Sequence, residues 1–121
     1  MKKLILGFLL LTGISFSAFA EDTKGYFGKV LLVEANGQSS DTYLNRHGMI
    51  MVDAQGMVEE YRWGGLSCGT KILTAEDVTR LTNAIDSKSV LVQIYSKPGQ
   101  GPVNCIVGYR MAAKGVVGSI E

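Results

Sequence analysis

Only one stretch of this chain carries a helical pattern that stands without help from its neighbours, and it limits what the rest can be. Between Thr74 and Ile85, the residues Val78, Leu81 and Ile85 recur three and four apart, one apolar stripe on a helix, while Arg80 and Asn83 point elsewhere. Thr74 offers an N-cap hydroxyl and Asp77 the third-position acid of a weaker capping box. Glu76 and Asp77 also meet the positive end of the helix dipole. With one helix of about three turns, the core must come from strands.

The flanking segments read as strands. Phe27 to Val33 is apolar and β-branched and ends at the turn former Asn36-Gly37. After the polar stretch from Gln38 to Asp41, Thr42-Tyr43-Leu44 reads either as a second short strand or as the far arm of a loop. Gly48 to Asp53 and Met57 to Trp63 read as a hairpin about the turn Ala54-Gln55-Gly56, with Met57, Glu59, Tyr61 and Trp63 on one face. Gly64-Gly65 ends it. Beyond the helix, Val90 to Tyr95 is a buried-looking strand, Lys97 to Pro102 a loop of breakers, and Cys105 to Met111 a last strand. Gly115 to Glu121 reads as a fraying end. The expected fold is mainly β with one α-helix: five strands with the helix between the third and fourth, the layout of the OB-fold barrel. A split sheet with the helix on one face is the alternative. There is no internal repeat, low-complexity segment or domain linker.

The first twenty residues stand outside this pattern. Lys2 and Lys3, the apolar run from Leu4 to Leu11, and Ala18-Phe19-Ala20 match a secretory signal peptide at residues 1–20. The run is too short to span about 30 Å of hydrocarbon, and no later segment is long and apolar enough to cross. The chain is therefore expected to be exported, periplasmic or secreted, as one soluble domain at residues 21–121 with no membrane insertion. The 12 Lys and Arg against 11 Asp and Glu are scattered, and losing Lys2 and Lys3 turns the excess negative. Without a clustered basic face there is no reason to expect nucleic acid.

Cys68 and Cys105 both lie in the exported part, and an even pair in an oxidising compartment reads as a disulfide. A redox couple would favour C-x-x-C spacing, and a zinc site needs three or four ligands where only His47 is at hand. His47, the single histidine, has no marked nucleophile near it in sequence, so it reads as a surface or loop residue. Glu59 and Glu60 are adjacent and face opposite sides of a strand, so they do not form a carboxylate pair. Gly64-Gly65 and Gly99-Gln100-Gly101 lack the setting of a phosphate cradle. No catalytic residue, metal or cofactor is expected. Aromatic rings beside strands, by contrast, can stack on sugar faces, and Tyr61 and Trp63 are candidates for that.

The order "LTAEDVTRLTNAIDSKSVLVQIYSKPGQGPVNCIVGYRM" resembles the second half of the pentameric B subunits of bacterial toxins, the type II heat-labile enterotoxins above all. "VLVQIYSKPG" and "GYFGKVLLV" are similar to strands of the subtilase-cytotoxin and pertussis-like B subunits, and "GMIMVDAQGMVEEYRW" to the enterotoxin hairpin. The resemblance implies a secreted, non-enzymatic OB-fold domain that assembles as a homo-oligomeric ring of five and binds a host glycan. It also implies a catalytic toxin subunit as partner. By position it brings Tyr26, Phe27 and Lys29 forward as ligand contacts, and it puts the glycan-contacting serine of the subtilase-type subunits at Gly28. Enterotoxin B subunits carry their first cysteine in an N-terminal helix, whereas here a bridge must join the segment before the helix to the last strand. The alternative function is a stand-alone periplasmic OB-fold protein, a protein-binding or inhibitor module.

Overall fold

The computed structural model describes residues 22–69 and 73–120, so the expected leader at residues 1–20 lies outside the described residues. Among the described residues, six strands form one mixed sheet: β1 (Thr23–Lys24), β2 (Lys29–Ala35), β3 (Gly48–Ala54), β4 (Met57–Trp63), β5 (Val90–Pro98) and β6 (Asn104–Ala113). Their order across the sheet is β1-β5-β6-β4-β3-β2. Every pairing is antiparallel except that of β4 with β6, which run parallel and meet at Arg62 and Cys105. The helical elements among the described residues are α1 (Gly65–Cys68), α2 (Ala75–Asn83) with a 3-10 turn at Ala84–Asp86, and α3 (Lys114–Ile120).

The mainly β expectation holds, but the count of five strands and one helix does not. The expected first strand is divided because its chain changes partners. Gly25 donates to the Ile94 carbonyl at 2.9 Å, and Gly28 exchanges two hydrogen bonds with Val92, at 2.9 and 2.8 Å, so this part runs along β5. From Lys29 the same stretch pairs instead with β3, Lys29 opposite Asp53. Gly28 sits at the crossing. A Cβ there would fall on the Asp53 carbonyl and within 2.8 Å of Val52 Cγ1, so the two backbones approach closely only because this residue has no side chain.

The expected hairpin forms, but its turn is one residue shorter than the Ala54-Gln55-Gly56 read from sequence: Ala54 belongs to β3 and pairs with Met57, and the ladder runs to Gly48 opposite Trp63. Its two turn residues, Gln55 at φ 55° and Gly56 at φ 83°, have the positive values that match a tight turn to twisted strands. Thr42, Tyr43 and Leu44 belong to a run of turns, with Asn45 and Arg46 both donating to the Thr42 carbonyl at 3.0 Å, so they are the arm of a loop. The core collects Val30, Ile50, Val52, Tyr61, Trp63, Val92, Ile94 and Ile106 from the sheet, and Leu81 and Ala84 from the helical segment. Of the helical stripe, Leu81 is wholly buried, while Val78 and Ile85 pack at its margin. By area, burying a leucine fully is worth about 2 kcal/mol.

The N-terminus of α2 is held as its residues predict. Thr74 Oγ1 accepts from the Asp77 amide at 3.1 Å, and an Asp77 carboxylate oxygen accepts from the Thr74 amide at 3.2 Å. Asp77 also accepts from the Tyr109 hydroxyl at 2.7 Å, which pins α2 to β6. The Tyr109 hydroxyl, then the Thr74 hydroxyl, hold the Asp77 carboxyl below the usual carboxylate range. Because its folded value lies below its unfolded one, Asp77 stabilises the fold fully above about pH 4 and loses that contribution as pH falls through the folded value. The urea midpoint of the protein is therefore expected to fall between pH 5 and pH 3 by more than that of Asp77→Asn; equal falls would dissociate Asp77 from acid stability.

The expected disulfide is present, with Cys68 and Cys105 joined at a Cα separation of 5.5 Å, which fastens α1 to the start of β6. The end expected to fray at Gly115–Glu121 is instead helical through Ile120. Gly115 and Gly118 weaken its intrinsic propensity, yet the Lys114 amide donates to the Ser89 carbonyl at 2.6 Å and Val117 is buried. Tertiary burial decides this helix. Among the described residues no helix is long and apolar enough to cross a membrane.

Candidate functional site

The segment from β1 to Tyr26 forms one wall of a cleft of about 300 Å³ at one end of the sheet. The β3–β4 turn contributes Ala54 and Gln55, β4 contributes Met57, Glu59 and Tyr61, and Ser96 of β5 and Asn104 of β6 complete it. Alternation along β4 sends Glu59 and Tyr61 to one face, so carboxylate and phenol share the cleft. Gly25 leaves room for the phenol: a Cβ at that position would stand 3.0 Å from the Tyr61 hydroxyl.

The wall is held by a polar pin. Gln93, only 1% exposed within the apolar run Val90–Ile94 of β5, donates through Nε2 to the Gly25 carbonyl at 2.8 Å. Its Oε1 accepts from Arg110 Nε at 2.6 Å and from the Tyr95 hydroxyl at 3.4 Å. Arg110 in turn lies over the ring of Phe27, 5.1 Å from its centroid. A buried amide with both ends partnered is stabilising where an unpartnered one would cost 1–3 kcal/mol or about that. Here the amide fixes the start of the chain against strands far along the sequence.

The structure separates the five sequence candidates. Tyr26 lines the cleft and is 59% exposed, and Tyr61 lines it from below at 8%. Phe27 is 5% exposed beneath Arg110, and Trp63 is 3% exposed within the core, packed on Gly48, whose Cβ would collide with the indole. Neither of these two rings offers a free face to a ligand. Lys29 is exposed at the start of β2, outside the cleft lining. Gln55, Asn104 and Gln93 were not singled out by sequence. Of these only Gln93 carries a signal, a polar residue amid the apolar "VLVQI" of a strand with both faces buried.

Electrostatically the cleft is balanced. Among the described residues, Lys24 and Glu59 are the charged ones of its lining. Burial, and next the charge of Glu59, push the Tyr61 hydroxyl above the usual tyrosine range, so it stays protonated as donor and acceptor. His47 lies elsewhere, stacked on Tyr43 with ring centroids 4.1 Å apart. Among the described residues no group of three or more His, Cys, Asp or Glu is placed to hold a metal. The cleft can therefore hydrogen-bond through amides and hydroxyls and stack through an exposed ring, which is the chemistry of polyol binding.

Comparison of the chain with protein-family models, with curated proteins and with solved structures gives no match.

Proposed function

We propose that this chain is an exported, non-enzymatic binding domain of the OB type, which takes a glycan in the cleft beside Tyr26 and assembles with copies of itself as a ring of five. The observation that carries the reading is the exposed Tyr26 ring set beside the Tyr61 hydroxyl and the side-chain amides of Gln55 and Asn104 in one cleft. An aromatic face meets the apolar side of a sugar, and mixed donor–acceptor groups meet its hydroxyls.

The strand arrangement supports the OB reading. Counting the divided stretch of residues 23–35 as one strand gives five, whose first pairs with the strand after it at one end and with β5 at the other. The remaining order, with β4 parallel to β6 and α2 between β4 and β5, is compatible with the OB layout. The ring finds support in an edge: β6 runs on past its single pairing with β4 at Cys105, so from Val107 to Ala113 that side has no strand neighbour among the described residues. A second copy would cover it. The disulfide fits an oxidising compartment outside the cytosol.

A glycan array probed with the exported protein tests the ligand. At least one glycan is expected to bind, and Tyr26→Ala should weaken that binding tenfold or more, a loss of about 1.4 kcal/mol, with the thermal midpoint unchanged. An array with no signal above background would remove the glycan reading. Light scattering at micromolar concentration tests the assembly: a mass of about five chains is expected, and a single-chain mass would remove the ring while leaving the cleft its ligand.

A further inference from the structure

We infer that the cleft takes an uncharged saccharide and discriminates against the same saccharide carrying a carboxylate, a selectivity that rests on the glycan reading above. Among the described residues, the lining holds one ammonium, Lys24, and one carboxylate, Glu59, and no arginine. A site built to capture a carboxylate uses a planar guanidinium or an excess of positive charge, and this one has neither.

Three cations outside the lining are engaged with other groups. Lys97 pairs with Asp22 at 3.5 Å, Arg62 with Glu60 at 2.6 Å, and Arg110 with Gln93 at 2.6 Å while it covers Phe27. Drawing any of them to a ligand means breaking a contact that already exists. On the Tyr61 side of the cleft, the Glu59 carboxylate repels a carboxylate set beside it.

Neutral groups, by contrast, have their counterparts. The amides of Gln55 and Asn104 each present a donor and an acceptor, as sugar hydroxyls do. Gln55 holds its place in the turn at φ 55°, a conformation that glycine or asparagine adopts more readily. Met57, 65% exposed, adds apolar surface beside the Tyr26 ring.

The test pairs galactose- and N-acetylglucosamine-terminated oligosaccharides with versions of the same cores capped by sialic acid, titrated calorimetrically into the exported protein. The uncapped member is expected to bind at least tenfold more tightly. Glu59→Gln should narrow that ratio, because it removes the negative charge and keeps the amide-sized side chain. Raising sodium chloride from 20 to 500 mM should narrow it in the unaltered protein as well, through screening at the open cleft. Equal or tighter binding of the capped members, lost in Tyr26→Ala, would overturn the selectivity and leave the glycan reading standing. Silence from every member of the series and of the wider array would overturn both. A preference that neither Glu59→Gln nor salt alters would overturn its electrostatic origin.

Discussion

Replacing Cys68 and Cys105 together by alanine is expected to lower the unfolding free energy by about 4 kcal/mol. The bridge closes a loop of 37 residues in sequence separation, and the chain-entropy argument assigns that much to a loop of this length. The local packing adds to the expectation. Gly99 lies against the sulfur of Cys105 and the Ser67 carbonyl, Gln100 donates to that same carbonyl at 3.0 Å, and Gly99 donates to Val103 at 2.7 Å. The bridge thus holds α1, the 99–103 turn and the start of β6 as one unit. Urea unfolding of the oxidised protein, the reduced protein and the double variant is the measurement. The last two should agree with each other, and a double variant as stable as the oxidised protein would show that the surrounding bonds hold this corner unaided. A domain of this size has 5–15 kcal/mol or about that in total, so the loss is a large fraction.

Gly28→Ser is expected to destabilise the fold by about 3 kcal/mol and to add no glycan binding. The position is where the resemblance to subtilase-type subunits puts a glycan-contacting hydroxyl, yet here it is buried at the crossing from β5 to β3. A new Cβ would meet backbone, not the yielding end of a side chain, because the Asp53 carbonyl is itself fixed in the β3 ladder. Neither can the Gly28 backbone retreat, since both its amide and its carbonyl are bonded to Val92. Gly28→Ala should cost as much as Gly28→Ser, which assigns the effect to the Cβ and not to the hydroxyl. A serine variant with an unmoved midpoint and a new glycan on the array would show that this strand, and not the cleft, is the binding surface.

Features written in neighbouring residues were legible. The Thr74–Asp77 capping box and the existence of the hairpin depend on residues a few positions apart, and the structure reproduces both, with the turn tightened to Gln55-Gly56. Features settled by distant partners were not. Nothing near Gly115 or Gly118 announces a helix, because what holds α3 is the Ser89 carbonyl and a pocket for Val117. The division of the first strand is likewise invisible until Val92 and Asp53 are seen on either side of Gly28. Alternation put Tyr61 and Trp63 on the same face, but only the closure of the core makes one a cleft floor and the other wholly interior. The cleft was half legible for this reason: its two tyrosines were named, while Gln55, Asn104 and the Gln93–Arg110 pin enter through the fold.

The pin has a consequence in time. Gly25 and Gln93 are 68 positions apart, so the wall of the cleft sits among the earliest residues made and its anchor among the late ones. Ordering that wall requires a loop of most of the chain to be closed, the slow step when contacts are non-local. The hairpin and α2, whose contacts are short-range, can form while the opening segment is still unanchored. Binding competence therefore arrives at the end of folding, and a chain cut short before β5 would have the first half of its sheet and no cleft at all.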